Sequence, residues 1–226
     1  MRSSRKEGVR WYKLVRYHKE GRDELSRRVS STITRLQDQY IKDYASARAQ
    51  LARLRRAVSK SPGSQPDVWE LMANCIPQEL VDERDDAASP GEWAAHLVLT
   101  LYATHQQSSK KPMHQRTDRG EGEYHGLGNA VAELVRINKA NQKGEDLEYG
   151  EMPHRFAALV TADTIGEVAH YARQLIQQLR AVEVPLDYGR FAGQLYDYQF
   201  PFAKDRVRLC WAREFAVDRN NTGQNE

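Results

Sequence analysis

The seven histidines and two cysteines are the residues of this sequence best suited to ligate a metal or to act as bases and nucleophiles. None of the histidines forms a His-Glu-x-x-His motif, precedes an aspartate, or stands at metal-ligand spacing from a carboxylate on one predicted helix face. Cys75 lies near a predicted helix end and Cys210 on an apolar helix face, which is typical of small buried hydrophobes. His96 lies on a narrow polar stripe, where we expect a hydrogen bond within the protein. The sequence therefore predicts no enzyme, metal site or cofactor.

A glycine pair at Gly126-Leu127-Gly128 raises the possibility of a phosphate-binding loop. The dinucleotide fingerprint requires a preceding strand within a βαβ unit, whereas a hydrophilic segment precedes this pair. We interpret these glycines as a tight entry into a helix that packs closely on its neighbour.

Basic side chains are the remaining candidates for chemistry, and they fall into three groups. The first ends a predicted helix, the second lies in a long polar loop, and the third opens the last predicted helix: Arg53, Arg55, Arg56 and Lys60; Lys110, Lys111, His114, Arg116 and Arg119; and Lys204, Arg206 and Arg208. Neutralising phosphates with such side chains releases counterions and gives affinity without sequence readout. Aromatic residues are not interleaved with the groups, which favours backbone contacts over base stacking. Solvated surface charge is the alternative interpretation of each group.

The charge of the chain is unevenly distributed. Residues 1–60 carry a net charge of +11 and the remaining residues −8, although the whole chain of 226 residues has only +3. This asymmetry favours a polyanionic partner at one end. The absence of a long apolar run and the two distant cysteines predict a protein without a membrane span, in the reducing cytoplasm.

Helical periodicity appears throughout and strand alternation nowhere, so we predict an all-α fold. About eight to nine helices would form a bundle of two packed halves. The most apolar run, residues 93–105, is predicted to be the central core helix, with Ser89 and Glu92 as its capping box. A second capping box, formed by Thr164 and Glu167, opens the segment with the clearest helical periodicity.

Breaks in these patterns predict the domain organisation. We expect a basic N-terminal arm over residues 1–22, ended by Gly21 and open to disorder, and an N-terminal helical subdomain over 23–125 that ends in the basic loop. A C-terminal helical subdomain would span 126–217, followed by a polar tail over 218–226. Loops as long as the one after the central helix are usually functional or disordered.

Six segments, taken in order, carry a resemblance to a known family: Leu51–Ala57, Trp69–Leu71, Trp93–Gln107, Gly126–Gly128, Pro185–Arg190 and Asp205–Phe215. Their combination resembles the CasB family, the small subunits of the type I-E CRISPR surveillance complex Cascade. The resemblance covers about residues 23–217. The first residues and the acidic insertion at 144–151 have no counterpart in it.

The resemblance implies a non-catalytic, all-helical subunit that is present as a pair in a ribonucleoprotein for antiviral defence. Its partners would be guide RNA, target and non-target DNA, CasC-type backbone subunits, a CasA-type large subunit and a second copy of itself. It would hold displaced DNA while guide and target strand pair. Carried over residue by residue, the implied contacts are Arg55, Arg56, Lys110 to Arg116, Lys204 to Arg208 and, as an addition, Arg173.

One alternative from another class remains open at this point. A helical protein–protein adaptor would use the same basic surface to dock an acidic partner. Purification with nuclease treatment separates the two hypotheses, because an adaptor would bring down protein but no nucleic acid.

Overall fold

The computed structural model describes residues 3–81, 87–118, 120, 124–141 and 153–221, with side-chain surroundings between residues 18 and 216. Nine α-helices run through these ranges: α1 Ser3–Ile41, α2 Ala45–Ala57, α3 Trp69–Cys75, α4 Pro90–His105, α5 Leu127–Asn141, α6 His154–Thr161, α7 Ile165–Ala181, α8 Tyr188–Tyr198 and α9 Pro201–Asn221. Short 3-10 turns span Pro66–Val68 and Gln78–Leu80. The described residues form no extended strand, and the all-α prediction is confirmed.

Helix α1 corrects one prediction, because Gly21 does not end a helix. The helix begins at Ser3 and continues for 39 residues through that glycine, so residues 3–22 and the segment predicted to start near Asp23 form one element. A Cβ atom at Gly21 would lie 2.7 Å from Leu80 Cδ2. The glycine therefore allows the 3-10 turn containing Leu80 to pack closely against an unbroken helix. The predicted polar tail at 218–226 overlaps α9, which continues to Asn221. Residues 222–226 and the side chains of residues 1–17 lie outside the described residues.

Helix α4 is the central element that the sequence predicted. Ser89 Oγ accepts the Glu92 N–H and the Glu92 carboxylate accepts the Ser89 N–H, which completes the capping box. Twelve of its residues are buried, and it contacts α1, α2, α3, α7 and α8. Since α4 is surrounded by these helices, its two ends are fixed reference points for the surfaces described below.

Small residues bring α1 and α8 close together. Gly189 and Gly193 of α8 face Ser30 and Ser26 of α1, and a Cβ atom at Gly189 would lie 2.6 Å from Ser30 Cβ. Side chains without bulk let helix backbones approach each other closely, as in other small-residue contacts. Helix α1 is thereby joined to a helix from the far end of the sequence.

The hydrophobic core is continuous across the predicted subdomain boundary at residues 125 and 126. Leu25 of α1, Leu99 of α4 and Trp211 of α9 belong to one cluster of buried side chains. The predicted capping box of α7 is present, and the Asp187 side chain caps α8 by accepting the Arg190 N–H. Within the described chain, no helix combines the length and the apolar character needed to cross a bilayer.

Candidate nucleic-acid interface

The segment after α4 is an ordered loop whose shape is set by one buried side chain. Gln106 is fully buried, and its Nε2 donates to the carbonyls of Ser109 and Lys111 at 3.0 and 2.8 Å. Its Oε1 accepts the Met113 N–H at 3.0 Å. A buried amide that satisfies three backbone groups specifies a single loop conformation. Lys110 and Lys111 therefore project from a fixed backbone.

The second anchor of this loop is Gln37 of α1. Its Oε1 accepts the His114 N–H at 2.8 Å and its Nε2 donates to the His114 carbonyl at 3.1 Å. A single bridge to Leu186, with hydrogen bonds from Leu186 N–H to Met113 and from Gln115 N–H to Leu186, holds the loop against the start of α8. The loop is thus fixed from both sides.

His114 was predicted to contact nucleic acid, and the structure instead places it in the interior. Its side chain is 4% exposed, and Nδ1 accepts the Tyr188 N–H at 3.2 Å. Nε2 is hydrogen-bonded to Ser30 Oγ at 3.0 Å. Because both ring nitrogens are occupied and burial lowers the pKa of His114, the ring is neutral and out of reach of a phosphate.

The first basic group lies along the end of α2, which packs against α4. Arg53, Arg56 and Lys60 are exposed, whereas Arg55 is half-buried and its Nη1 donates to the Ala103 carbonyl at 3.4 Å. Arg56 lies 3.5 Å from Asp67, and both side chains are more than 60% exposed. A pair this exposed contributes little stability, so Arg56 is free to exchange its partner for a phosphate.

The second basic group reaches the C-terminal end of α4 through the ordered loop. Lys110, Lys111 and Arg116 are exposed, while Arg119 lies outside the described residues. Lys111 Nζ pairs with Glu183 at 2.8 Å. Arg55 of the first group and the loop that carries the second group therefore meet at the C-terminal turn of α4, where backbone carbonyls and Glu183 supply the local negative charge. Lys60 lies further back along α4, beside His96.

Arg180 is a member of this surface that the sequence reasoning missed. It lies in the last turn of α7, and its Nε and Nη1 donate to the backbone and side-chain oxygens of Gln107, both at 3.2 Å. A basic residue in a final helical turn is a weak signal, because it is equally expected as a partner of the helix dipole. Only the packing of α7 on α4 brings it near Arg55.

The third basic group lies at the opposite end of α4. Gln199, at the end of α8, donates to the carbonyl of Pro90, the first residue of α4. Lys204, in the first turn of α9, donates to the Asp163 carbonyl at 2.8 Å, just before α7 begins. Because α4 has 16 residues, its two ends lie about 24 Å apart, and the third group is at the end opposite the ordered loop.

The arginines of the third group are largely engaged within the protein. Arg208 Nη2 donates to the Ala162 carbonyl at 3.0 Å, and its guanidinium lies 5.6 Å from the centre of the Tyr198 ring. Arg206 Nη2 binds Asp197 at 2.8 Å. An aromatic ring does accompany this group, contrary to the sequence reasoning, but it stacks 5.4 Å from Trp211 inside the core.

Asp197 is a buried carboxylate that joins three helices. Its side chain is 5% exposed and pairs with Arg206 of α9 and with Arg22 of α1, the latter at 3.2 Å. His18 Nε2 lies 3.6 Å away, and burial lowers the pKa of that histidine although Asp197 acts in the opposite direction. Arg206 thus has a structural partner, Asp197, that no sequence pattern predicts.

Arg173, the addition implied by the resemblance, is half-buried on α7. Its Nε donates to the Ala169 carbonyl one turn earlier in the same helix, at 3.2 Å. The remaining donors of its guanidinium have no hydrogen-bond acceptor among the described residues. Arg173 lies seven residues before Arg180 on α7. This helix runs from the third basic group, at Lys204, to the loop after α4.

The other titratable side chains support packing. His96 Nε2 hydrogen-bonds to the Lys60 carbonyl at 2.8 Å, as the sequence predicted for an internal contact. Burial lowers the pKa of His105 to about 3, so that its ring is neutral at physiological pH. Burial raises the pKa of Cys75, while Cys210 is only half-buried and contacts Arg190. Among the residues with described side chains, no three histidine, cysteine or acidic groups converge as they would around a metal.

Comparison with known proteins identifies the family. The sequence profile of CRISPR-associated protein Cse2 matches residues 50–215. The crystal structure of CasB from Thermobifida fusca is 32% identical to this chain, covers 85% of it and 97% of its own length, and superposes with a TM-score of 0.62. No curated protein sequence matches the chain at a significant level.

Two further structures share the fold. CasB from Thermus thermophilus is 24% identical, with a TM-score of 0.53 and coverage of 85% of this chain and 97% of its own. CasB from M. ruber is 20% identical, with a TM-score of 0.56 and coverage of 87% and 97%. On the strength of the profile match and the 32% identity, the chain belongs to the CRISPR-associated protein Cse2 family, the CasB proteins, and is by that membership a CRISPR Cascade subunit.

Proposed function

We propose that this chain is a non-catalytic Cascade subunit that binds the phosphate backbone of nucleic acid without reading sequence. The observation that carries the proposal is the basic surface formed by the second half of α2, the end of α7 and the loop after α4, which we call the α4 basic surface: Arg53, Arg55, Arg56, Lys60, Lys110, Lys111, Arg116 and Arg180. It combines eight basic side chains from two helices and one loop on a fixed backbone. Preorganised charge of this kind binds phosphates with little ordering cost.

The role within the complex would be to hold DNA that is displaced when guide RNA pairs with the target strand. Exchange of a DNA duplex for an RNA–DNA duplex is nearly balanced in free energy, so a few backbone contacts to the displaced strand shift it towards the open form. The guide RNA, the CasC-type and CasA-type subunits and a second copy of this chain are its proposed partners, in the cytoplasm. Arg173, Lys204, Arg206 and Arg208 add positive charge along the path, although Arg206 and Arg208 are engaged by groups of the protein itself.

Binding of a labelled single-stranded oligonucleotide over a series of salt concentrations tests this proposal. The wild-type chain should lose affinity linearly on a log–log scale as salt rises. The variants Arg55→Ala/Arg56→Ala and Lys110→Ala/Lys111→Ala should stay folded, bind more weakly and show a smaller salt slope. Binding that is identical in wild type and both variants at every salt concentration would contradict a phosphate-binding role.

The adaptor hypothesis gives a different result in pulldown experiments. If the basic surface docks an acidic protein, a tagged chain purified from its host would retain that protein after nuclease treatment and never carry nucleic acid. Our proposal expects RNA to co-purify before nuclease treatment. Incubation of the chain with labelled nucleic acid and divalent metal should leave the nucleic acid intact, as a non-catalytic subunit requires.

A further inference from the structure

Two guanidinium groups meet at one turn of α4. Arg55 of α2 donates to the carbonyl of Ala103, and Arg180 of α7 donates to the carbonyl of Gln107. The Ala103 carbonyl belongs to the last turn of α4, and Gln107 follows two residues after the end of that helix. Arginines from two different helices are thus held side by side at the end of a third.

No carboxylate neutralises this pair within the described part of the chain. Glu183, three residues after Arg180, is engaged with Lys111 at 2.8 Å and with the hydroxyl of Ser109 at 2.8 Å. Burial lowers the pKa of Arg55, and the positive charges of Arg180 and Arg56 lower it further. Two half-buried like charges raise the free energy of the folded protein, and a bound anion between them would remove that cost.

The donors that remain suit one tetrahedral anion. A guanidinium carries five N–H donors in a planar fork, and Nη2 of both arginines has no acceptor among the described residues. The Tyr40 hydroxyl accepts the Ser108 N–H at 3.1 Å and keeps its own proton to donate. Two arginine forks with a hydroxyl beside them match the geometry by which proteins hold phosphate groups.

We propose that Arg55 and Arg180 clamp a single backbone phosphate, with the Tyr40 hydroxyl as a third donor; this inference rests on the proposed function. It makes Arg180 a nucleic-acid contact and gives the α4 basic surface one discrete position for the strand. The other exposed cations then act as a diffuse field around that position.

A double-mutant cycle on the binding of single-stranded DNA tests the clamp. Arg55→Gln and Arg180→Gln should each weaken binding about tenfold, and the double variant should bind about as weakly as either single variant, because one phosphate is lost in every case. The salt slope should fall by about 0.7 in all three. Arg136→Gln is the matched control: it removes the same charge from α5, where Arg136 pairs with Glu133, and should change neither quantity.

Independent effects of the two substitutions on DNA affinity would contradict the clamp. If the double variant loses the product of the two single effects and its slope falls by about 1.4, the arginines bind separate phosphates. Unchanged binding in both single variants overturns it as well. Arg55→Lys adds a geometric criterion, because the charge and the salt slope are kept while the planar fork is lost and the affinity falls. Thermal unfolding of each variant verifies that it is folded.

Inorganic phosphate provides a second probe that does not depend on nucleic acid. At constant ionic strength it should raise the melting temperature of the wild type and not that of Arg55→Gln/Arg180→Gln, because ligands that bind only the folded state stabilise it. No shift in the wild type would overturn the clamp. Failure of the wild type to bind DNA while phosphate still shifts its melting temperature would refute the proposed function and leave the clamp standing.

Discussion

Gln37 and His114 are joined by two hydrogen bonds between a side-chain amide and both backbone polar groups of one residue. The residues come from α1 and from the loop after α4, 77 positions apart in the sequence. This pair of hydrogen bonds fixes the position and the orientation of the loop backbone. Together with Gln106 and the bridge to Leu186, it gives Lys110 and Arg116 a defined location relative to α2 and α7.

Gln37→Leu should therefore release the loop while leaving the helices in place. The substitution keeps the side-chain volume but leaves the buried N–H and carbonyl of His114 without partners, at a cost of about 2 to 4 kcal/mol in the free energy of unfolding. Urea unfolding measures this cost, and amide hydrogen exchange should show faster exchange at His114. Gln39→Leu on the same helix is the control, since the Gln39 side chain makes no hydrogen bond to a described residue. Equal stability of the two variants would contradict the anchoring role.

Lys110 and Arg208 were both predicted to touch nucleic acid, and the structure assigns them different environments. Lys110→Gln should reduce the salt slope of single-strand binding by about 0.7 and leave stability within about 0.5 kcal/mol. Arg208→Gln should instead cost about 1 kcal/mol, because the Ala162 carbonyl keeps the Tyr198 hydroxyl but loses its second donor, and the Tyr198 ring loses the guanidinium beside it. Salt-dependent binding and urea unfolding, measured on both variants, separate the two roles. The reverse pattern would show that the third group is the true contact.

Gly128 should be intolerant of any side chain, because α5 and α9 are in close contact there. An added Cβ atom would lie 2.6 Å from Phe215 N, and the Trp211 carbonyl is closer still. Gly128→Ala should destabilise the protein by about 1 to 3 kcal/mol, since neither backbone atom can move aside. Gly166→Ala is the matched control: its added Cβ would meet nothing nearer than 3.9 Å, so alanine should be neutral or stabilising by about 1 kcal/mol. Similar melting temperatures for both variants would contradict the packing.

Acid should destabilise the fold through its buried histidines. The pKa of His105 is near 3 in the folded protein and about 6.5 when unfolded, so between these values the unfolded chain binds a proton that the folded chain does not. Its contribution is complete above pH 6.5 and is lost as pH falls, by about 2 kcal/mol at pH 5. Urea unfolding of the wild type at pH 7 and pH 5 measures the total loss. The variant His105→Gln should show a smaller difference between the two pH values; an unchanged difference would exclude His105 as a source.

The helices could be predicted wherever their signals are local in the sequence. Ser89 with Glu92 and Thr164 with Glu167 act within one turn, and both capping boxes are present. Gly21 has the same local appearance as a helix breaker, but its meaning depends on Leu80, 59 residues away. Local rules fail at such a residue because tertiary packing decides its role.

The candidate surface was harder to predict for the same reason. The basic groups were visible as charge clusters, but which of them meet is determined by helix packing between α2, α4 and α7. Arg180 belongs to no cluster of basic residues in the sequence, so it was not predicted as a contact. The burial of His114 between Ser30 and Tyr188 depends on residues far away in the sequence. Contacts between residues that are far apart in the sequence produce no periodic pattern by which one sequence alone could predict them.

We propose that the α4 basic surface stabilises displaced DNA. The lifetime of the R-loop in the assembled complex is the most direct measure of this effect. Complexes containing wild-type chain or Arg55→Ala/Arg56→Ala/Lys110→Ala would be loaded on a labelled target duplex, and the closing rate followed at two salt concentrations. We predict closing at least tenfold faster with the variant at low salt, and a smaller difference at high salt, where screening weakens the wild-type contacts. If the wild-type and variant complexes have equal R-loop lifetimes at both salt concentrations, with the variant fully incorporated, the α4 basic surface does not stabilise displaced DNA.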